Sequence, residues 1–321
     1  MGSGVVARVS RPVPDALPPL SFERTVPRRY VHRQSVSEVF LTDCVPLPEP
    51  DRFVLAAQWP RLHGFYRARD GHYDTMLLAE TLRQTAIYLG HTRYRVPLPN
   101  RFVMQHLQVS ASPDALEVGA AAADVIVEVA VSRHVYRGDA LAAFRVDLRF
   151  RCGGLQIGAA TGDAAVFPPA AYARARWGDR GPRTVGTPWC PDPVRSGLVG
   201  HVDDAHVVLG PQRARDEWEV RVDTAHPVLF DHPCDHIPGM LLFEAIRQAA
   251  CARLGLPDAH LASLGATFHR FAELDERTTI RLDAVDDGTL SVTGSIRQGG
   301  VAVVRGTAAL APTAVSACAG S

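Results

Sequence analysis

Hydrophobic and polar residues alternate with a period of two along several stretches of the chain. FRVDLRFR (144–151) alternates strictly, and DVIVEVAVS (124–132) and FVLAAQW (53–59) are rich in β-branched or aromatic residues, so all three predict strands. SVSEVFLTD (35–43), AHVVLG (205–210), WEVRVD (218–223) and TIRLDAV (279–285) read the same way. So does the stretch 290–310, LSVTGSIRQGGVAVVRGTAAL, where Gly299 and Gly300 stand at a position that a tight hairpin turn requires. Two segments break the period: MLLAETLRQTA (76–86) and MLLFEAIRQAA (240–250) are apolar on most of a helical circumference and predict buried helices.

Those two helical segments are identical at seven of eleven positions, and a spacing of 164 residues relates Met76 to Met240, Glu80 to Glu244, Arg83 to Arg247 and Gln84 to Gln248. One repeat of this length implies two copies of a whole unit. Each copy reads as strands, one apolar helix, then antiparallel strands. Between them, 168–197 is rich in Pro, Gly and Arg with no apolar period, which predicts a linker. The expected organisation is an N-terminal extension (1–27), a first unit (28–167), the linker (168–197) and a second unit (198–312). A helix apolar on so many sides needs a strongly curved sheet around it, and two such sheets can continue into one another, hiding their edges. Glu244 is then a problem, since a carboxylate on a buried helix costs several kcal/mol unless it is paired, hydrogen-bonded or protonated.

Composition narrows the chemistry. Basic and acidic residues number 34 each among 321, so no global positive field is available to hold nucleic acid or an anionic membrane. There is no lysine, which excludes Schiff-base lysines and lysine-dependent phosphate loops and leaves arginine forks to bind phosphate or carboxylate. The six cysteines are dispersed without a CxxC pair, so reduced thiols are expected. The first residues interrupt any apolar run with proline and charge, and no segment approaches the roughly 20 apolar residues of a bilayer span. A cytoplasmic protein is expected.

Ahead of the second helix runs HPVLFDHPCDHIPGMLLFEAIRQ (226–248). Pro238-Gly239 lets the chain turn tightly into a helix whose first N–H groups, that of Gly239 or a neighbour, suit a developing oxyanion. Glu244, Arg247 and Gln248 share a face one turn further in, and the first helix repeats them as Glu80, Arg83 and Gln84, but with Asp74-Thr75 where Pro238-Gly239 would be. A glutamate and an arginine three apart equally suit an internal ion pair, and Gln84 and Gln248 suit backbone groups of a packed interior. His226, Asp231, His232, Asp235 and His236 are ligand-type residues. Pro233 and Pro238 break the segment, however, so loop hydrogen bonding or acid–base work is favoured and no metal site is expected. His32 and His63 read as structural histidines, and Cys234 as a small half-buried side chain rather than a nucleophile.

PGMLLFEAIRQ resembles the helix start of hotdog-fold dehydratases acting on acyl carrier protein substrates, in which a loop histidine precedes Pro-Gly and a glutamate follows the proline by six positions. Glu244 follows Pro238 by six, and His232, or else His236, stands where the loop histidine would be. The loop is not collinear with the dehydratase pattern. The chain more closely resembles the A-factor biosynthesis proteins, synthases of γ-butyrolactone and related butenolide signals in actinomycetes. VHRQSVSEVFLTD (31–43), the MLLAETLRQ helix and HPVLFDHPCDHIPGMLLFEAIRQAA carry that resemblance, over about residues 28–310. It implies an α+β tandem double hotdog, each unit a long central helix wrapped by a curved antiparallel sheet. It also implies an acyltransferase that condenses a β-ketoacyl thioester, on acyl carrier protein or coenzyme A, with the hydroxyl of dihydroxyacetone phosphate, in synthesis of a signal controlling antibiotic production.

The family's functional residues fall on Glu80, Glu244 and Arg247. With His232 these make the expected catalytic set, a glutamate or His232 acting as base, while Arg83, Gly239, Gln248 and His236 are expected to bind substrate. No cofactor is implied. The partners expected are β-ketoacyl acyl carrier protein and dihydroxyacetone phosphate, with no nucleic acid and no membrane. The two units are expected to form a pseudo-dimer around a shared tunnel, and a homodimer of such chains is compatible with it. Two other readings compete: a dehydratase or thioesterase, acting on the thioester without a phosphate co-substrate, and a non-catalytic ligand-binding regulator.

Overall fold

The computed structural model describes residues 19–312, so the first 18 residues of the expected extension, and Cys318, lie outside the described residues. In the first half β1 (Leu41–Pro46) and β2 (Arg52–Trp59) precede helix α1 (Met76–Thr92). β3 (Arg101–Ala111), β4 (Ala123–Arg137), β5 (Ala140–Cys152) and β6 (Leu155–Phe167) follow it. After a short helix α2 (Pro169–Trp177) the order recurs as β7 (Leu209–Ala214), β8 (Glu217–Val220), α3 (Gly239–Leu254), β9 (His260–Phe268), β10 (Thr278–Asp286), β11 (Ser291–Gln298) and β12 (Val301–Ala311).

These twelve strands form one sheet in the order β1-β2-β4-β5-β6-β3-β9-β12-β11-β10-β8-β7. The order is the same read from either edge, each strand of one half matching its counterpart in the other. At the centre β3 and β9 pair antiparallel, His106 opposite Thr267 and Ser110 opposite Ser263. Two edges that would otherwise present unpaired N–H and C=O groups are thereby joined.

Alternation sets the buried face: Val125, Val127, Val129 and Val131 of β4 and Phe144, Val146, Leu148 and Phe150 of β5 are all buried. Both halves close a hairpin with two glycines at positive φ, Gly153-Gly154 between β5 and β6 (φ 56° and 83°) and Gly299-Gly300 between β11 and β12 (φ 53° and 79°). The helices lie close against the sheet. A Cβ on Gly158 would stand 2.4 Å from Leu78 of α1, and one on Gly162 would stand 2.7 Å from Leu82, so glycine sets how near the helix approaches.

Two sequence expectations are corrected. Within 35–43, Val36–Glu38 is a 3₁₀ turn and pairing starts at Leu41; within 205–210, Asp204–His206 is a 3₁₀ turn and pairing starts at Leu209. In both places a helix glutamine takes the N–H that a neighbouring strand would have taken: Phe40 donates to Gln84 Oε1 at 2.9 Å and Val208 to Gln248 Oε1 at 2.9 Å. The stretch 168–197 is also more than connection. Its first part folds as α2, with Pro169 at the helix start and Tyr172 buried, and Tyr172 and Arg176 reach the cavity described next.

Candidate active site

A cavity of about 1050 Å³ lies between the halves, lined by the start of α3 on one side and the middle of α1 on the other. Helix α3 begins at Gly239 because Pro238, with φ −58° and ψ 138°, is extended, and no side chain caps the first turn. The N–H groups of Leu241 and Leu242 turn back to Pro238 O, whereas those of Gly239, at the cavity wall, and Met240 have no backbone or side-chain partner among the described residues and suit an anion. From α1 come Arg83 and the apolar Leu82, Ala86 and Ile87; from the loop before α3 come His232, Cys234, Asp235 and His236; and β3 contributes Arg101, Phe102 and Met104.

Behind this wall each helix carries the same buried device. Gln84 Nε2 donates to Glu38 O (2.7 Å) and Glu80 Oε1 (2.7 Å); Gln248 Nε2 donates to His206 O (3.0 Å) and Glu244 Oε1 (2.7 Å). His63 Nδ1 accepts from the N–H groups of Phe65 and Tyr66, just as His226 Nδ1 accepts from those of Val228 and Leu229. Both glutamates are closed off from solvent, at 0% and 1% exposure.

Glu80 is held by two arginines: Arg33 Nη2 at 2.8 Å and Nε at 3.1 Å, and Arg83 Nε at 3.0 Å from the second oxygen. Burial raises its pKa, but Arg33 and then Arg83 outweigh that and hold the carboxyl at about 2. Glu244 meets Arg247 through Nε (2.8 Å) and Nη2, and His201 Nε2 at 2.9 Å. Burial opposes its ionisation, yet Arg247 and the His201 hydrogen bond hold it well below the usual carboxylate range.

The geometry divides the expected site residues into two groups. Arg83, Gly239, His232 and His236 are brought together at the cavity, but Glu80, Glu244, Arg247 and Gln248 do not line it. The physical reason is pairing: guanidinium groups and, for Glu244, an imidazole occupy the carboxylate oxygens and hold both side chains in the interior. Glu80 sits directly behind Arg83 and fixes its orientation. Glu244 and Arg247 sit at the related place in the other half, where a void of only about 10 Å³ is bordered by Arg69, Asp74, Thr75 and Arg247. There Thr75 replaces the Pro-Gly start and its hydroxyl donates to Leu261 O at 2.6 Å. One of two related sites is open and the other is filled.

The two cavity imidazoles differ. His232 is held at about 4, mainly by burial and then by the Arg83 and Arg33 charges, and is therefore neutral at pH 7. His236 Nδ1 lies 2.6 Å from Asp235 Oδ1, and its ring packs edge-on against Phe271 at 5.0 Å. Asp235 in turn accepts from the Tyr172 hydroxyl at 2.9 Å. Cys234 has its thiol pKa pushed up by burial, which suits a passive wall residue. Sequence reasoning passed over Arg33, Arg101 and Tyr172. Arg33 stands inside VHRQSVSEVFLTD, so position alone marked it, whereas Tyr172 lay in a stretch with no periodic signal.

Comparison with known proteins agrees with this architecture. The sequence signature of the A-factor biosynthesis hotdog domain matches twice, over residues 16–168 and 186–318. A 2-oxo-3-(phosphooxy)propyl 3-oxoalkanoate synthase of Streptomyces virginiae is 43% identical over 277 residues, covering 84% of this chain and 91% of the relative. Its namesake from Streptomyces coelicolor is 37% identical over 290 residues, covering 84% and 91%, and that from Streptomyces griseus is 36% identical over 246 residues, covering 76% and 80%. A doubled family signature, a shared hotdog fold and relatives aligned along most of their length all lead to one conclusion: this chain belongs to the A-factor biosynthesis family.

Proposed function

We propose that the chain is an acyltransferase that joins a 3-oxoacyl thioester to the primary hydroxyl of dihydroxyacetone phosphate, the reaction whose product the relatives' name describes. The carrier of the acyl group is acyl carrier protein, and the chain folds as two hotdog units in tandem, 28–167 and 198–312, acting as a pseudo-dimer in the cytoplasm. The mirror-related strand order and the doubled family signature support the tandem reading. Among the described residues no helix is long and apolar enough to cross a membrane.

The observation that carries the reaction is one cavity with complementary walls. Leu82, Ala86, Ile87, Phe102, Val146 and Phe167 give it an apolar lining for the acyl chain. Arg83 spends Nε and Nη2 on Glu80 and Val31 O, leaving Nη1 without a partner among the described residues; with Arg101 it anchors the phosphate. The open first turn of α3 receives the oxyanion of the tetrahedral intermediate, and an imidazole of the 232–236 loop takes the hydroxyl proton. The thiolate leaves and is reprotonated by the same imidazole.

The test is stoichiometric. The purified protein is given 3-oxoacyl acyl carrier protein and dihydroxyacetone phosphate, and free thiol and phosphate ester are followed together by mass spectrometry. Equal amounts of thiol and ester support the transfer. Thiol release that ignores the triose phosphate points to a thioesterase instead, and tight lactone binding with no turnover points to a regulator.

A further inference from the structure

The geometry points to Asp235 and His236 as the base dyad of this cavity, with Tyr172 of helix α2 as the residue that positions it. The inference rests on the acyl-transfer reading above and decides which of the two cavity imidazoles does the work. A general base must accept a proton and hold the resulting positive charge for an instant. His236 has an adjacent carboxylate oxygen at 2.6 Å to stabilise that charge. His232 has Asp231 only at 4.0 Å, and that carboxylate is already engaged by the N–H groups of Gln34 and Ser35 and lies 4.0 Å from Arg33. An imidazolium at His232 would also be opposed by the Arg83 and Arg33 charges.

The dyad is ordered as well as charged. Tyr172 OH reaches both Asp235 oxygens, at 2.9 and 3.0 Å, so the carboxylate is held while its Oδ1 accepts from His236 Nδ1. With Nδ1 committed as donor, the Nε2 lone pair is the free one, and the side chain, 30% exposed, stands on the cavity wall. Arg176, one turn beyond Tyr172, donates to Asp235 O at 2.9 Å and pairs with Glu273, tying α2 to the loop. In the reaction His236 Nε2 takes the hydroxyl proton as the C–O bond forms. The C–S bond then breaks, and the departing thiolate takes that proton back from the imidazolium. Nothing is oxidised or reduced. The stretch between the two units is thus part of the active site.

Three variants test this with 3-oxoacyl acyl carrier protein and dihydroxyacetone phosphate, with folding checked by thermal melting. His236→Asn is expected to lower kcat by about 10²–10³-fold at unchanged KM for the triose phosphate. Asp235→Asn is expected to shift the acid limb of the kcat profile to lower pH, because the imidazolium loses its carboxylate. Tyr172→Phe should lower kcat several-fold and displace the same limb. Wild-type-like kcat in folded His236→Asn, or an unmoved acid limb in Asp235→Asn, overturns the dyad while leaving the transfer reading intact. A wild-type protein that forms no ester at all refutes that reading instead.

Discussion

At the scale of single residues, the repeated Glu–Arg–Gln signature divides: Arg83 reaches the cavity wall, while Glu80, Gln84, Glu244, Arg247 and Gln248 lie behind it. Glu244→Gln would leave Arg247 charged at 1% exposure with its main partner gone, so a loss of about 3–5 kcal/mol in urea unfolding is expected. A loss below about 1 kcal/mol would show that the pair is not structural. Arg83 carries a different expectation, because its guanidinium is both anchored by Glu80 and free at Nη1. Arg83→Lys keeps the charge but loses the fork, so KM for dihydroxyacetone phosphate should rise at least tenfold with a smaller change in kcat. An unchanged KM would remove Arg83 from phosphate binding. Sequence pattern alone selected both arginines equally. What separated them was the residue at the start of the opposing helix, glycine in one half and threonine in the other, and that is a fact of packing between segments far apart in the chain.

At the scale of elements, helices and most strands were legible because each has a strong local cause. β5 alternates apolar and charged residues, and α1 and α3 are apolar on most of their circumference. The ends of β1 and β7 were not legible, since Gln84 and Gln248 redirect the N–H groups of Phe40 and Val208 across 44 and 40 residues of sequence. Helix α2 was hidden for another reason: PAAYARARW buries only Tyr172, so it leaves no apolar stripe. The start of α3 allows a sharper test. Pro238 already has the extended conformation preferred before proline, and proline is tolerated at a first helical position, so Gly239→Pro should keep the helix while removing one N–H. If that N–H meets the oxyanion, kcat falls about 10²–10³-fold with an unchanged far-ultraviolet spectrum. Retained kcat in the folded variant moves the oxyanion donor to another group.

At the scale of the whole molecule, the halves share a fold but differ in what fills the space between them. Both halves contribute histidines buried in the neutral state, and these make acid stability a property of the assembled fold. Burial, then neighbouring His206, holds His226 at about 4, and burial, then His91, holds His32 at about 3, each below the ordinary 6.5. Between those values the unfolded chain takes up protons that the folded chain refuses. Stability is therefore fully present above pH 6.5 and falls as pH drops toward 4, with His226 alone contributing on the order of 3 kcal/mol. Glu80, at about 2 against an ordinary 4.5, adds a second loss of the same sign lower down. Urea midpoints measured from pH 7.5 to 4.5 should fall steadily below 6.5, and His226→Gln should flatten part of that slope. A midpoint constant from pH 7.5 to 5 would mean that these imidazoles are protonated as readily in the folded chain as in the unfolded one, and that the burial of His226 does not hold it neutral.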